Sequence, residues 1–390
     1  MSEKNACNNA VTLSCAPDSA HLICGQNRFS SVLSNTDVAE LLARQAQQEA
    51  GTLSRAFRRA SRSAFLWPEN VVDVVAQNRS LTELRGIGPF LEKQIRRWVD
   101  QHRQLTDRPP AIRQDFISLA DARQLLATKP AWSKKLRGDL QMHTRWSDGS
   151  GTIAEMADAA RERSYEYIAI TDHSKRLKIA GGIDERALRE QALEIAGTNQ
   201  SISREGGNLT ILRSIEMNLN PQGEGDMAPK SLSGLDLVLG SFHSSLRRID
   251  DQTERYLAAL RNPHIQILAH PRGRIYNFRL GLKADWPRVF AEAAKLDKAL
   301  EIDCYPDRQD LNLTLLKLAR SAGTRLSLGT DAHHPWQLGF IQLGLAAALR
   351  AKIPDERIVN FMSIQQIKCW IAGLHETKPL TSGLNKVQLK

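Results

Sequence analysis

The sequence predicts an α/β protein, a seven-stranded (β/α) barrel preceded by a small all-helical domain, and three observations predict it. Between residues 138 and 331, short β-rich runs alternate with amphipathic helical runs at the spacing of βα units. Between residues 35 and 99 the apolar residues recur only at helical spacing. Residues 101–136, with Pro109, Pro110 and Pro130, have linker composition and stand between the two. The expected organisation is therefore a mobile leader at 1–33, a helical domain at 34–100, a linker at 101–136, a barrel at 137–375 and a tail at 376–390.

Taken in order, the leader mixes Asn, Ser, Cys and Ala without a sustained period. Asn35 or Thr36 can cap a helix whose inner side carries Val38, Leu41, Leu42 and Ala46, and a second helical run passes through Leu53, Phe57, Ala60, Phe65 and Leu66 before Pro68 interrupts it. A third piece at 71–75 leads into residues 80–98, read as helix, tight turn and helix around Gly86, Ile87 and Gly88. The linker holds one helical patch at 121–127. The strand runs are 138–143, 167–172, 209–216, 235–243, 265–270, 299–303 and 325–331; the helical runs between them are 153–163, 185–196, 251–260, 286–295, 313–321 and 338–349. An open doubly wound sheet fits this alternation as well as a barrel does.

Composition bounds the function. The 390 residues are 42% hydrophobic and 25% charged, which is ordinary for a globular protein, and no run approaches the roughly 20 apolar residues of a membrane span. The first 25 residues lack the basic start and compact apolar stretch of a secretory signal, so a cytoplasmic location is expected. Cys7, Cys15, Cys24, Cys304 and Cys369 are odd in number and show no paired spacing, as free thiols would. Of the net charge of +10, residues 1–137 supply 20 Lys plus Arg against 13 Asp plus Glu, or +7. That basic third is the candidate for meeting an anion, although moderate basic excess also occurs without nucleic acid.

The chemistry is carried by the residues that end the strand runs: Gln141 and His143, His173, Glu216, His243, His270, Asp303, and Asp331 with His333. All strand C-termini of a parallel barrel open onto one face, so groups far apart in sequence would converge in one bowl. One such histidine is usually structural; five with interleaved carboxylates are not. Nitrogen and carboxylate donors without thiolates suit zinc, manganese or iron(II), and so many groups require more than one ion. Residues two apart, Gln141 with His143 and Asp331 with His333, share a side of an extended strand. Asp148, in Trp146-Ser147-Asp148-Gly149, either folds over the rim or simply makes an Asp-Gly turn.

The strings Gly138-Asp139-Leu140-Gln141-Met142-His143-Thr144, Ile170-Thr171-Asp172-His173-Ser174, Ile215-Glu216-Met217-Asn218, Ser241-Phe242-His243-Ser244, Ala269-His270-Pro271-Arg272-Gly273-Arg274 and Gly329-Thr330-Asp331-Ala332-His333 resemble, in order, the motifs of the PHP (polymerase and histidinol phosphatase) domain, in the version at the C-terminus of bacterial family X DNA polymerases. The resemblance covers about residues 137–373 and implies a distorted seven-stranded barrel with two or three divalent ions, zinc or manganese with iron as a further option. Carried over residue by residue, it puts Gln141, His143, Glu216 and Asp331 around one metal. It makes Glu216 a bridge to a second held by His243 and His270, and gives a third to Asp148, His173 and His333. Glu216, His243, His270 and Asp331 would be the catalytic core. Gln141 departs from the family's histidine, and a neutral amide oxygen is the poorer zinc ligand. Asp303 matches no ligand and would act behind them.

Such ions lower the pKa of water, neutralise phosphoryl oxygens and stabilise a leaving alkoxide, which is the chemistry of phosphoester hydrolysis. Arg272, Arg274, Lys175 and Arg176 are placed by sequence to grip a substrate phosphate, or else to cap helices and pair with carboxylates. Leu81, Leu84, Gly86, Ile87, Gly88, Leu91 and Ile95 resemble a helix-hairpin-helix motif, whose turn offers backbone N–H groups to a DNA phosphate, with Lys93, Arg96 and Arg97 adding charge. Residues 35–99 resemble the lyase-type domain that opens family X polymerases, but the Schiff-base lysine falls on Gln94, and about 40 residues before Gly138 leave no room for a nucleotidyl-transfer domain. The expectation is a metal-dependent phosphoesterase acting on DNA ends or gaps, as 3′-5′ exonuclease, 3′-phosphatase or abasic-site nuclease, in DNA repair. A small-molecule phosphatase of the histidinol-phosphatase type and a non-catalytic DNA-binding scaffold are the alternatives.

Overall fold

The computed structural model describes residues 33–101, 103, 105 and 107–376. Apart from Leu33 and Glu376, the expected leader and tail lie outside the described residues, as do Cys7, Cys15 and Cys24; Cys304 is a buried free thiol and Cys369 an exposed one.

The helical part comprises α1 (Asn35–Gln48), α2 (Gly51–Ser63), α3 (Val71–Ala76) and α4 (Pro89–Asp100). Ser34, rather than Asn35 or Thr36, caps α1: its hydroxyl accepts from the Asp37 N–H while the Asp37 carboxylate accepts from Ser34. Asn35 is buried instead, donating to the Glu69 carbonyl at 2.9 Å and accepting from Val71 N at 2.9 Å. The first helix read within 80–98 is only a 3₁₀ turn, Leu81–Glu83. Only five residues stand between the Ser80 cap and the turn at Gly86, so the segment ends after one turn. Gly86 sits at φ 80°, and a Cβ there would meet Ser63 Oγ at 2.7 Å, so only glycine makes this turn. Leu42, Phe57, Phe65, Trp67, Ile95 and Trp98 fill the helical core.

The segment expected as a linker is packed. It carries α5 (Leu119–Ala127), started by a second capping box at Ser118 and Asp121, and α6 (Pro130–Ser133). Phe116 joins the helical core, whereas Leu119, Ala122 and Leu126 join that of the barrel.

The barrel strands are β1 (Gly138–Asp139), β2 (Tyr167–Ile170), β3 (Thr210–Arg213), β4 (Glu216–Asn218), β5 (Leu239–Ser241), β6 (Ile267–Leu268), β7 (Ala299–Asp303) and β8 (Arg325–Gly329). All pair in parallel, in the ladders β1-β2-β3 and β4-β5-β6-β7-β8. β3 and β4 are halves of one strand broken at Ser214 and Ile215. A parallel bridge from His173 to Glu216 spans the break, and one from Met142 to Ala332 closes the ring. The result is the distorted seven-stranded barrel. Its strands stop short of the sequence runs because side chains take over the ladder at their C-terminal ends: Met142 N donates to Thr171 Oγ1 at 3.0 Å and Thr144 N to Asp172 Oδ1 at 2.8 Å. The crossovers are α7 (Ile153–Arg161), α8 (Glu185–Arg204), α9 (Pro229–Leu232), α10 (Thr253–Arg261), α11 (Trp286–Lys295), α12 (Leu313–Ala322) and α13 (Ile341–Ala351). A last helix, α14 (Ile364–Glu376), puts Ile367 and Trp370 beneath the strands. Among the described residues no helix is long and apolar enough to cross a membrane.

The helical part rests on the end of the barrel where the loops after β6 and β7 emerge. Tyr276, from the loop after β6, inserts into the helical core with its ring centroid 4.8 Å from that of Phe65 and 5.2 Å from that of Phe116. The buried Arg113 holds Glu40 at 2.7 and 3.0 Å and reaches Asn277 at 3.1 Å.

Lys298, before β7, is buried with its ammonium on the Asn262 carbonyl, and burial pushes its pKa down to about 8. Between that value and the unfolded one the unfolded chain holds the extra proton, so stability rises with pH there. Relative to Lys298→Met, wild type should gain about 3 kcal/mol between pH 8 and 10.5, read by urea unfolding at each pH. A flat difference would refute this.

Candidate metal centre

The segments just past the strand ends bring His143, His173, His243, His270 and Asp331 to one mouth, and Glu216, at the start of β4, stands in the middle. Its Oε1 lies 2.6 Å from His270 Nε2 and 3.3 Å from His243 Nε2; its Oε2 lies 2.9 Å from His173 Nδ1 and 3.5 Å from His143 Nε2. Around this centre His143 Nε2 is 2.9 Å from Asp331 Oδ1, and Asp148 Oδ1 is 3.3 Å from His333 Nε2 and 3.6 Å from His173 Nε2. Three sets of donors lie close enough to share an ion: His143, Asp148, His173 and His333; His173, Glu216 and His243; and His143, Glu216 and Asp331. Asp148 therefore does reach the bowl. His270 and Asp331 hold left-handed backbones, φ 29° and 51°, the kind of strain found where side chains are aimed for function.

The donors fit divalent ions on their own terms. His173 Nδ1 and Glu216 Oε2 are 2.9 Å apart and buried, yet neither has a hydrogen bond, so the two atoms face common space rather than each other. Burial, reinforced by His173 and His333, pushes the His143 pKa well down, and burial pushes His243 down as well, so both are neutral imidazoles as ligation requires. Burial alone would raise the Glu216 carboxyl, but His173, His243 and His270 hold it well below the usual carboxylate range.

Gln141 is placed differently from its neighbours. With its NH2 oriented to the carboxylate it donates to both oxygens of Glu301, at 2.7 Å to Oε2. Glu301 Oε2 also accepts from the His270 backbone N–H at 2.7 Å. Burial, then Asp303, pushes the Glu301 carboxyl well up from its usual range. Gly329 makes room for it: a Cβ there would stand 2.0 Å from Glu301 Oε1. Glu301 was legible as an acid two residues before Asp303, hence on the same side of β7. Asp303 is raised to about 6 by burial; it accepts from Tyr305 N at 2.7 Å and lies 3.9 Å from Arg308. Arg308, in the loop after β7, contacts Asp331 directly, and no spacing in the sequence marks it.

Of the expected phosphate grips, Arg274 needs correction. Arg274 is buried and donates to the carbonyls of Arg308 at 2.7 Å and Asp115 at 2.8 Å, its guanidinium 3.8 Å from the Phe116 ring centroid, so it fastens residues 114–116 to the barrel. Lys175 is paired with Glu185 at 2.6 Å, and Arg272 donates to the Leu280 carbonyl at 2.8 Å. Arg176 is exposed. In the helical part Arg96 is held by Glu92 at 3.0 Å and by the Arg79 carbonyl, and Ile87 N–H is already given to the Leu84 carbonyl at 3.2 Å. Gly86, Lys93 and Arg97 are exposed, and the two cations have no ion pair among the described residues.

Residues 139–317 match the family model described as PHP domain. The chain carries a PHP domain. Over 267 residues this PHP protein is 34% identical to "DNA polymerase/3'-5' exonuclease PolX" of Bacillus subtilis, in an alignment covering 67% of this chain and 45% of that one, so it spans less than half the length of that relative. It is 28% identical over 234 residues to "Probable phosphatase YcdX" of Escherichia coli, covering 57% and 89%. A crystal structure of histidinol phosphate phosphatase from Lactococcus lactis, complexed with Zn, L-histidinol and phosphate, aligns with TM-score 0.39 at 17% identity over 55% of this chain and 93% of that one. The chain thus combines a PHP domain with buried His, Glu and Asp clusters whose donor atoms are close enough to share metal ions.

Proposed function

We propose that this PHP protein hydrolyses phosphoesters of DNA at ends or gaps, as a 3′-5′ exonuclease, 3′-phosphatase or abasic-site nuclease serving repair in the cytoplasm. The observation that carries it is one buried carboxylate, Glu216, within 3.5 Å of four imidazoles at the barrel mouth. Two or three zinc or manganese ions bound there would activate water and neutralise phosphoryl charge. The chain's own part is to keep Glu216 ionised and the His143 and His243 imidazoles neutral, and to set the Arg308 cation against Asp331 at the edge of the centre. DNA as substrate is supported by the Gly86 turn with Lys93 and Arg97, by the basic first third, and by the similarity to PolX.

End-labelled DNA carrying a 3′-hydroxyl, a 3′-phosphate or an abasic site, incubated with the full chain and manganese or zinc, tests this. Shortening or dephosphorylation should occur and should drop at least about a hundredfold in His243→Ala. Turnover of p-nitrophenyl phosphate with every DNA substrate untouched would replace this reading with a small-molecule phosphatase. Metal-loaded protein inert on all of them would leave a binding scaffold.

A further inference from the structure

The barrel mouth is not walled by the barrel alone. A cleft of about 410 Å³ opens beside the metal centre between Ile275, Phe278, Tyr305, Arg308 and His333 of the barrel and Arg62 of α2. His333 belongs to one of the ligand sets, and the Arg308 guanidinium contacts Asp331, so the cleft adjoins the place where a phosphorus would be attacked. Arg62 is exposed and its side chain has no hydrogen bond or ion pair among the described residues, and Phe278 is 50% exposed. The one acid of the lining is Asp307, against two guanidinium groups. A cation pair beside the half-exposed Phe278, one face of which Arg247 covers at 4.6 Å, suits a phosphodiester with its base on the other face, since stacking and charge are what hold a nucleotide strand.

Arg62 also lines a second, wider cavity of about 890 Å³ with Arg59, Arg85, Gly86, Gly88 and Phe90. The two cavities therefore share one residue, and the second includes the glycine turn. Arg85 lies 4.7 Å over the ring of Trp336, which is 41% exposed and three residues past His333. α2 itself carries Arg55, Arg58, Arg59 and Arg62 with no acidic residue. Positive charge with exposed aromatic faces thus runs from the turn to the metal centre.

We propose that Arg62 of the helical domain and Arg308 of the barrel grip the phosphate of the nucleotide next to the scissile one, with its base against Phe278. The helical domain so completes the substrate cleft and sets the preference for a nucleotide chain over a small phosphomonoester. This rests on the DNA phosphoesterase reading above. Arg62 is a specificity residue and takes no part in bond cleavage.

The test compares the full-length wild type with Arg62→Ala and Arg62→Lys, with manganese, on an end-labelled oligonucleotide and on p-nitrophenyl phosphate. Arg62→Ala should lower the oligonucleotide to p-nitrophenyl phosphate ratio of kcat/KM about tenfold, mostly through KM. It should reduce by about one the slope of log KM against log salt, and Arg62→Lys should recover part of both. If wild type degrades DNA and the ratio stays level in Arg62→Ala, or both substrates fall together, the assignment is overturned while the DNA reading stands. If wild type turns over only p-nitrophenyl phosphate, the DNA reading fails and the assignment goes with it.

Discussion

Glu216→Gln should lower phosphoester turnover by about a thousandfold or more and release at least one ion per chain. Glutamine keeps the shape of glutamate, removes its charge and turns one of its two acceptor oxygens into an NH2 donor. That charge faces four imidazoles at 2.6, 2.9, 3.3 and 3.5 Å with no exposure to water. Water does not screen the loss at such a site, as it would at the surface. Because the histidines hold the carboxyl well below its usual range, the charge is present across the whole neutral region, and no change of pH near 7 should mimic the substitution. Elemental analysis of dialysed protein gives the ion count, and thermal unfolding with and without added manganese gives a second reading. Wild type should gain stability from the metal by mass action, and the variant should gain little. A variant with the full complement of ions and turnover within tenfold of wild type would show that Glu216 is not the centre of the site.

The barrel mouth was legible because its chemistry is tied to a regular feature. His143, His173, Glu216, His243, His270 and Asp331 each follow a strand, and in a closed parallel ring strand ends have only one place to go. Asp148 was open between rim and turn until the geometry set it 3.3 Å from His333. What failed was inference from nearness in sequence. Arg274 lies four residues past His270, but the chain reverses at Gly273, φ 59°, and carries the guanidinium away to Phe116. Gln141 departs visibly from the family pattern, whereas its partner Glu301 sits on β7, far along the chain. Arg62 and Arg308 line one cleft although 246 positions separate them, and no periodicity predicts which face of a docked domain meets a barrel rim.

Docking is where the second large effect is expected. Tyr276→Ala should destabilise the protein by about 3–5 kcal/mol, the usual cost of deleting a buried aromatic side chain. The Tyr276 ring is 2% exposed between Phe65 and Phe116, and its hydroxyl lies 3.2 Å from Ser61 Oγ and 3.3 Å from the Ala39 carbonyl. Tyr276→Phe keeps the ring and loses only those hydroxyl contacts, so it should cost about 1 kcal/mol, since Ser61 retains the Ala39 carbonyl at 2.7 Å. Urea unfolding separates the two: for Tyr276→Ala the helical part should melt ahead of the barrel, in a transition of its own. Ser61 immediately precedes Arg62, so the same substitution should loosen α2 against the cleft and weaken DNA turnover more than that of p-nitrophenyl phosphate. A single cooperative transition shifted by less than about 1 kcal/mol in Tyr276→Ala would mean that the helical part is held by other contacts, with the buried Arg113–Glu40 pair the next to remove.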